Sequence, residues 1–161
     1  MSPLDRKRAL RAELVARLAS QLDAARDAHQ SAIEGATHEQ ARAENDKDTR
    51  GLEQSYLARG HSARIAELEV AVAAAGALAL REFTVDQAVA LGALVVVGED
   101  ERQLSYFVVS NGGGETLAGG TVQVVTPRSP LGVALIGKQA GDVAKVRLAG
   151  RQRELEILEI E

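Results

Sequence analysis

The 161 residues include no cysteine, which removes disulfides, thiol nucleophiles and thiolate metal sites together. That absence fits a reducing compartment. Tryptophan is also missing, and only two Phe and two Tyr are present. So few aromatic rings exclude a base-stacking platform and an aromatic-lined ligand pocket. No apolar run approaches the roughly 20 residues that a membrane-spanning helix needs. The first residues, Met1 to Arg8, carry basic side chains with no apolar stretch behind them, since Arg and Glu keep recurring between Ala9 and Ala19. A cytoplasmic protein without membrane contact is the expectation. With a net charge of −4, the chain as a whole is not held to nucleic acid by phosphate contacts, although local basic patches remain compatible.

What is present divides near residue 80. Residues 1–80 contain one proline, Pro3, and are rich in the helix formers Ala, Leu, Arg, Glu and Gln. Leu10, Leu14, Leu18 and Leu22 recur every four residues, extended by Ala25 and Ile33, which predicts a helix from about Pro3 to about Ile33. A second stripe of Leu52, Tyr56, Ala63, Ile65, Leu68 and Val72 predicts another helix from about Thr49 to about Ala75, stopped by Gly76. Between them runs a polar segment with no hydrophobic residue larger than Ala. Two long helices with a polar tip near 35–50 predict an antiparallel hairpin, a coiled coil about 40 Å long at about 1.5 Å per residue. The competing arrangement is half of a four-helix bundle, with Leu10, Leu14, Leu18 and Leu22 packed across a homodimer interface; a monomer is the expectation.

Residues 81–161 switch to a period of two and to β-branched residues. Strands are predicted at 93–98, 103–109, 121–126, 143–148 and 153–160, with Glu99-Asp100-Glu101-Arg102 as a hairpin turn and Asn111-Gly112-Gly113-Gly114 as a loop. Residues 85–91 precede the sheet as either a short helix or an irregular lead-in. The fold class is therefore α+β: a helical hairpin followed by a small α+β domain of about 80 residues.

The segment Ser129-Pro130-Leu131-Gly132-Val133-Ala134-Leu135-Ile136-Gly137-Lys138, followed by Gly141-Asp142, has a legible local physics. Ser129 is suited to cap a helix and Pro130 to occupy its first position. Gly137 is suited to the left-handed conformation that ends it. A two-turn apolar helix results, and Gly141-Asp142 turns the chain into the strand at 143–148.

This segment resembles a Ser-Pro-(Leu/Ile)-x-x-Ala-Leu-(Leu/Ile)-Gly-Lys-x-x-Gly-Asp signature near the end of bacterial Gre-type transcription elongation factors. Arg64-Ile65-Ala66-Glu67-Leu68-Glu69 is similar to that family's Arg-Ile-x-x-(Leu/Ile)-Glu motif on the second hairpin helix. The resemblance implies a coiled-coil hairpin carried by an FKBP-like domain. It implies an accessory factor, not itself an enzyme, that docks on bacterial RNA polymerase and passes its hairpin down the secondary channel. The partner-binding residues carried over on the signature are Ser129, Pro130, Leu131, Gly137, Lys138, Gly141 and Asp142.

The resemblance further implies that tip carboxylates reach the polymerase active centre, meeting nascent RNA only indirectly. Backtracked polymerase holds one Mg²⁺ and needs a second to hydrolyse extruded RNA; a two-metal site aligns the attacking water and stabilises the leaving oxygen. Mg²⁺ prefers carboxylate and water oxygens, so carboxylates delivered on a rod recruit it. The candidates here are Glu44, Asp46 and Asp48, in the stretch Ala43-Glu44-Asn45-Asp46-Lys47-Asp48-Thr49-Arg50. They are expected to share Mg²⁺ only in complex with polymerase, and the chain has no cofactor of its own. Counted back from Arg64 without gaps, Glu44 takes the first acidic slot of the family's Asp-x-x-Glu tip, whereas the second falls on Lys47. Arg42, Lys47 and Arg50 partly neutralise the acidic field. A channel-binding relative that modulates or inhibits synthesis without cleavage is the alternative. Without the resemblance, these carboxylates read as a solvated loop in which Asp48 caps the second helix.

Other residues point elsewhere less well. His29, His38 and His61 are the only histidines, and His61 has no second metal-type ligand at i, i+4 spacing; solvated side chains are the expectation for His38 and His61. Asn111–Gly114 lacks the Lys-Ser/Thr and helix start of a phosphate loop. Ser105, Ser110 and Ser129 have no histidine in their half, which excludes a Ser-His hydrolase there. A prolyl isomerase pocket would rest on Phe83, Tyr106 and Phe107 alone. Lys138, Lys145, Arg147, Arg151 and Arg153 form the densest basic set, suited to an acidic partner surface or to protecting a strand edge.

Overall fold

Ser2 starts the first helix by local chemistry. Its hydroxyl accepts the Asp5 amide at 3.1 Å while donating to the Asp5 carboxylate at 2.6 Å, and Pro3 fills the position where no N–H is needed. In a computed structural model the backbone is described for residues 1–42 and 49–161, and side chains for residues 1–35 and 56–161. Helix α1 spans Pro3–Arg42 and α2 spans Thr49–Ala77; six strands and one further helix follow. The strands are β1 (Leu94–Glu99), β2 (Arg102–Val108), β3 (Thr116–Leu117), β4 (Val122–Val125), β5 (Val143–Leu148) and β6 (Arg151–Ile160), and α3 is Pro130–Leu135. The chain divides into two compact units, Arg17–Val72 alone and Met1–Ala16 together with Ala73–Glu161.

In the helical unit, Arg26 of α1 pairs with Glu69 of α2 at 3.1 Å, and His29 lies beside His61. Numbers rise along α1 as they fall along α2, which makes the pair antiparallel. Leu18, Leu22 and Leu68 are buried there. The expected second stripe needs correction: Tyr56 is 66% exposed and Ala63 is also exposed, so neither belongs to the seam. Leu68 holds the seam as expected, joined by Ala71 three residues on along the same helix face, where the small alanine allows close approach; the Leu52 side chain lies outside the described residues. The first helix also runs nine residues beyond Ile33, through Gly35, to Arg42. Its polar extension consists largely of helix formers, and backbone bonding does not require an apolar face.

In the larger unit, the sheet order is β3-β4-β2-β1-β6-β5. All pairings are antiparallel except β2 with β4, which is parallel. Glu99 pairs with Arg102 across the Asp100-Glu101 turn, as the sequence predicts. Alternation sends Val95, Val97, Tyr106, Val108, Leu155 and Ile157 to one face, where they pack with Leu131 and Leu135 of α3. Leu94, Phe107, Val122 and Val124 alternate to the other face and are buried too. β3 escapes sequence reading because two residues carry no period.

The start of α1 is fastened to this unit by polar contacts. The Glu13 carboxylate accepts the Ala118 amide at 3.0 Å, Arg6 pairs with Glu161 at 3.1 Å, and Arg11 donates to the Leu78 carbonyl at 2.8 Å. Lys7 is the one buried charged residue among those described; its ammonium donates to the Arg81 carbonyl and lies 4.9 Å from the centre of the Phe83 ring. Arg81 stacks on the same ring at 4.1 Å. Burial pulls the Lys7 ammonium below the ordinary lysine range, with Glu161 opposing.

Candidate functional site

The segment Ser129–Asp142 is assembled from short-range bonds. The Ser129 hydroxyl accepts the Gly132 amide at 3.0 Å and donates to the Thr126 carbonyl at 2.9 Å. Pro130 begins α3, and the helix closes with the Ile136 amide on the Gly132 carbonyl at 3.0 Å. Leu131 and Leu135 point into the core, while Val133 is 64% exposed. Gly132 has a role that composition conceals: a Cβ there would stand 1.7 Å from the Thr126 carbonyl oxygen. Only glycine lets α3 settle against the preceding turn.

Beyond α3 the chain reverses twice. Gly137 takes φ +83°, and its amide donates to the Val89 carbonyl at 2.9 Å while the Val89 amide donates to the Lys138 carbonyl at 2.8 Å. This two-bond bridge explains the irregular lead-in at 85–91, which serves as a strap for the segment. The Asp142 carboxylate accepts the Gln139 amide at 2.8 Å, and Gln139 reaches the Asp86 carbonyl at 2.7 Å. Asp86 itself is held below the usual carboxylate range, first by the Thr84 hydroxyl at 2.6 Å. Gly141 at φ +93° and Asp142 exchange bonds of 2.8 Å with Ile157 of β6.

The residues carried over on the signature therefore lie together. Ser129, Leu131, Gly137, Gly141 and Asp142 build the segment through caps, core contacts and backbone bonds. Pro130, Gly137, Gly141 and Asp142 also stay exposed, with Lys138 half-buried. α3 packs on β5, the sheet's edge strand. Val133 is exposed on α3, whereas Val143, Lys145 and Arg147, alternating with buried Ala144 and Val146, are exposed on the other face of this edge strand. Lys145 sits 4.0 Å from Glu154. Sequence reasoning singled out Lys145 and Arg147 and overlooked Val133 and Gly132; an apolar residue on a short apolar helix gives no sign of facing outward.

Arg153 leaves the basic set. Its guanidinium grips Glu99 bidentately at 2.6 and 3.0 Å and reaches the Tyr106 hydroxyl at 3.5 Å. Arg153 holds the Glu99 carboxyl below its usual range, and Glu99 in turn raises the Arg153 guanidinium. The pair ties β1 to β6 beside an open groove of about 700 Å³ bordered by Arg102 and Arg151. Glu44, Asp46 and Asp48 lie outside the described residues. Among the described residues no three His, Cys, Asp or Glu side chains converge as metal ligands, and no helix is long and apolar enough to cross a membrane.

Residues 84–161 match the family model described as "Transcription elongation factor, GreA/GreB, C-term". That match covers a little under half of the chain. The chain is 37% identical over 76 residues to transcription elongation factor GreA of Streptococcus pneumoniae serotype 19F (strain G54), a match covering 45% of this chain and 44% of that protein. GreA of Streptococcus gordonii (strain Challis) is 38% identical over 65 residues, covering 40% and 38%. The chain thus matches less than half the length of these relatives. Solved structures of GreA factor homolog 1 (Gfh1) include that of Thermus thermophilus, 27% identical, covering 91% of this chain and 94% of that one at a TM-score of 0.41. The Thermus aquaticus Gfh1 structure is 28% identical, covering 91% and 92% at a TM-score of 0.42.

Proposed function

We propose that this chain is a Gre-like cytoplasmic regulator of bacterial RNA polymerase. The family match over residues 84–161 carries the reading, because it coincides with the glycine-turned segment and its exposed rim. The edge where α3 meets β5 docks on the polymerase, with Val133 as apolar contact on the helix side and Val143, Lys145 and Arg147 supplying apolar contact and charge complementarity on the other side of the strand. The hairpin enters the secondary channel. Glu44, Asp46 and Asp48 at its tip then contribute oxygen ligands to the second Mg²⁺ of the polymerase and promote cleavage of backtracked RNA. The chain is an accessory factor in this reaction, and its tip carboxylates share Mg²⁺ only in complex with polymerase.

A second reading rests on Lys47. A cation between Asp46 and Asp48 opposes Mg²⁺ recruitment, which favours a factor that occupies the channel and modulates synthesis without cleavage. Purified chain added to a stalled, backtracked complex with Mg²⁺ separates the two. Shortened RNA that disappears in Asp46→Ala or Asp48→Ala supports the cleavage reading; binding with slowed synthesis and intact RNA supports the second. Neither binding nor cleavage rejects both.

A further inference from the structure

His29 on α1 and His61 on α2 face each other inside the helical unit. Their ring centres are 5.7 Å apart and their planes are inclined by 41°. The His29 Nδ1 atom is buried and has no hydrogen-bond partner among the described residues. A polar nitrogen withdrawn from water without a partner is costly unless something else binds it. The surroundings are open on one side: Tyr56, Leu57, Gly60, His61 and Arg64 border a hollow of about 380 Å³. A Cβ at Gly60 would meet no atom within 4 Å. Among the described residues no packing explains a glycine at this point of α2, and the hollow opens beside His61.

We propose that His29 and His61 form a two-imidazole site for a divalent transition-metal ion, bridging the two helices of the hairpin. The spacing suits it. A ligating nitrogen about 1.2 Å from its ring centre and a bond of about 2.0 Å put the metal about 3.2 Å from each centre. Two rings sharing one ion then lie about 5.2 Å apart at a tetrahedral angle and about 6.4 Å apart if collinear. The observed 5.7 Å falls between these limits. With only two protein ligands, water completes the coordination, and the site is exchangeable rather than closed. Imidazole nitrogens select Zn²⁺, Cu²⁺ or Ni²⁺ over Mg²⁺, which keeps this site chemically distinct from the tip carboxylates. A ligand search along one helix misses it because the pair forms across two.

Zn²⁺ titrated into the full chain by calorimetry in chelator-treated buffer tests the site. We expect one Zn²⁺ per chain, uncompeted by Mg²⁺, and a melting midpoint raised by about 3 °C or more at saturation. His29→Gln and His61→Gln each lower the affinity at least about tenfold, and His38→Gln leaves it unchanged. Imidazole ¹⁵N resonances of His29 and His61 in the unsubstituted chain shift together on Zn²⁺ addition, a readout that survives if a variant folds poorly. Binding that persists in His29→Gln or His61→Gln, that is lost in His38→Gln, or that is absent at millimolar Zn²⁺ overturns the proposal.

Discussion

Replacing Gly132 by alanine sets two effects against each other. Alanine is the better helix former by about 1 kcal/mol, so helix propensity alone predicts stabilisation. The added methyl, however, would begin 1.7 Å from the Thr126 carbonyl oxygen, a backbone atom that cannot turn away. Relief requires α3 to retreat by more than 1 Å. That movement opens the Ser129 cap, which is worth about 1 kcal/mol, and disturbs the seating of Leu131 and Leu135 in the core. Overpacking a core commonly costs about 2 kcal/mol. The net is a loss of about 2 kcal/mol, or about a 30-fold larger open population. Hydrogen exchange of the Gly141 and Ile157 amides, which bond across the segment's junction with β6, reports that population directly. Exchange about 30-fold faster in Gly132→Ala is the expected result. Unchanged or slower exchange would refute the claim that this glycine is imposed by contact with Thr126.

Three further outcomes follow from the same contacts. Ser129→Ala removes the α3 cap and lowers stability by about 1 kcal/mol in urea denaturation, with little change in far-UV circular dichroism. Leu14→Ala empties a fully buried position on α1 and costs about 3 kcal/mol in the same measurement. The Glu99 carboxyl titrates below its usual range in the folded protein, so its contribution is complete above the unfolded value near 4.5. That contribution is lost as pH falls through the lower, folded value. Glu99→Gln therefore lowers stability at pH 7 by about 1 kcal/mol and flattens the acid limb of the stability profile; an unchanged limb would count against the Arg153 pairing.

Much of the α+β domain is legible because local chemistry and tertiary structure agree there. Ser129, Pro130 and Gly137 mark α3 to within a residue, and alternation marks five of the six strands. What escaped depends on spatial neighbours. Gly132 looks like an ordinary weak helix residue until the Thr126 carbonyl is placed beside it. Lys7 sits in a run of exposed basic residues, yet α1 turns it toward Arg81 and Phe83. Arg153 counts as surface charge in sequence and is taken up by Glu99 across two strands. Tyr56 fits an apolar stripe by spacing, but the seam between the helices is set by Leu68 and Ala71. In sequence the signature residues point to a partner surface; much of their chemistry goes into building the segment, and the exposure of Val133 becomes visible only once α3 is seated on β5.

The affinity of the full chain for bacterial RNA polymerase, measured beside Val133→Glu, tests the central claim most directly. Val133 is exposed, so the substitution leaves melting unchanged while placing a charge in the proposed apolar contact. Binding by the unsubstituted chain and at least about tenfold weaker binding by the variant are expected. Equal affinity of the two would contradict docking through the α3–β5 edge, and no binding by either would contradict the polymerase assignment itself.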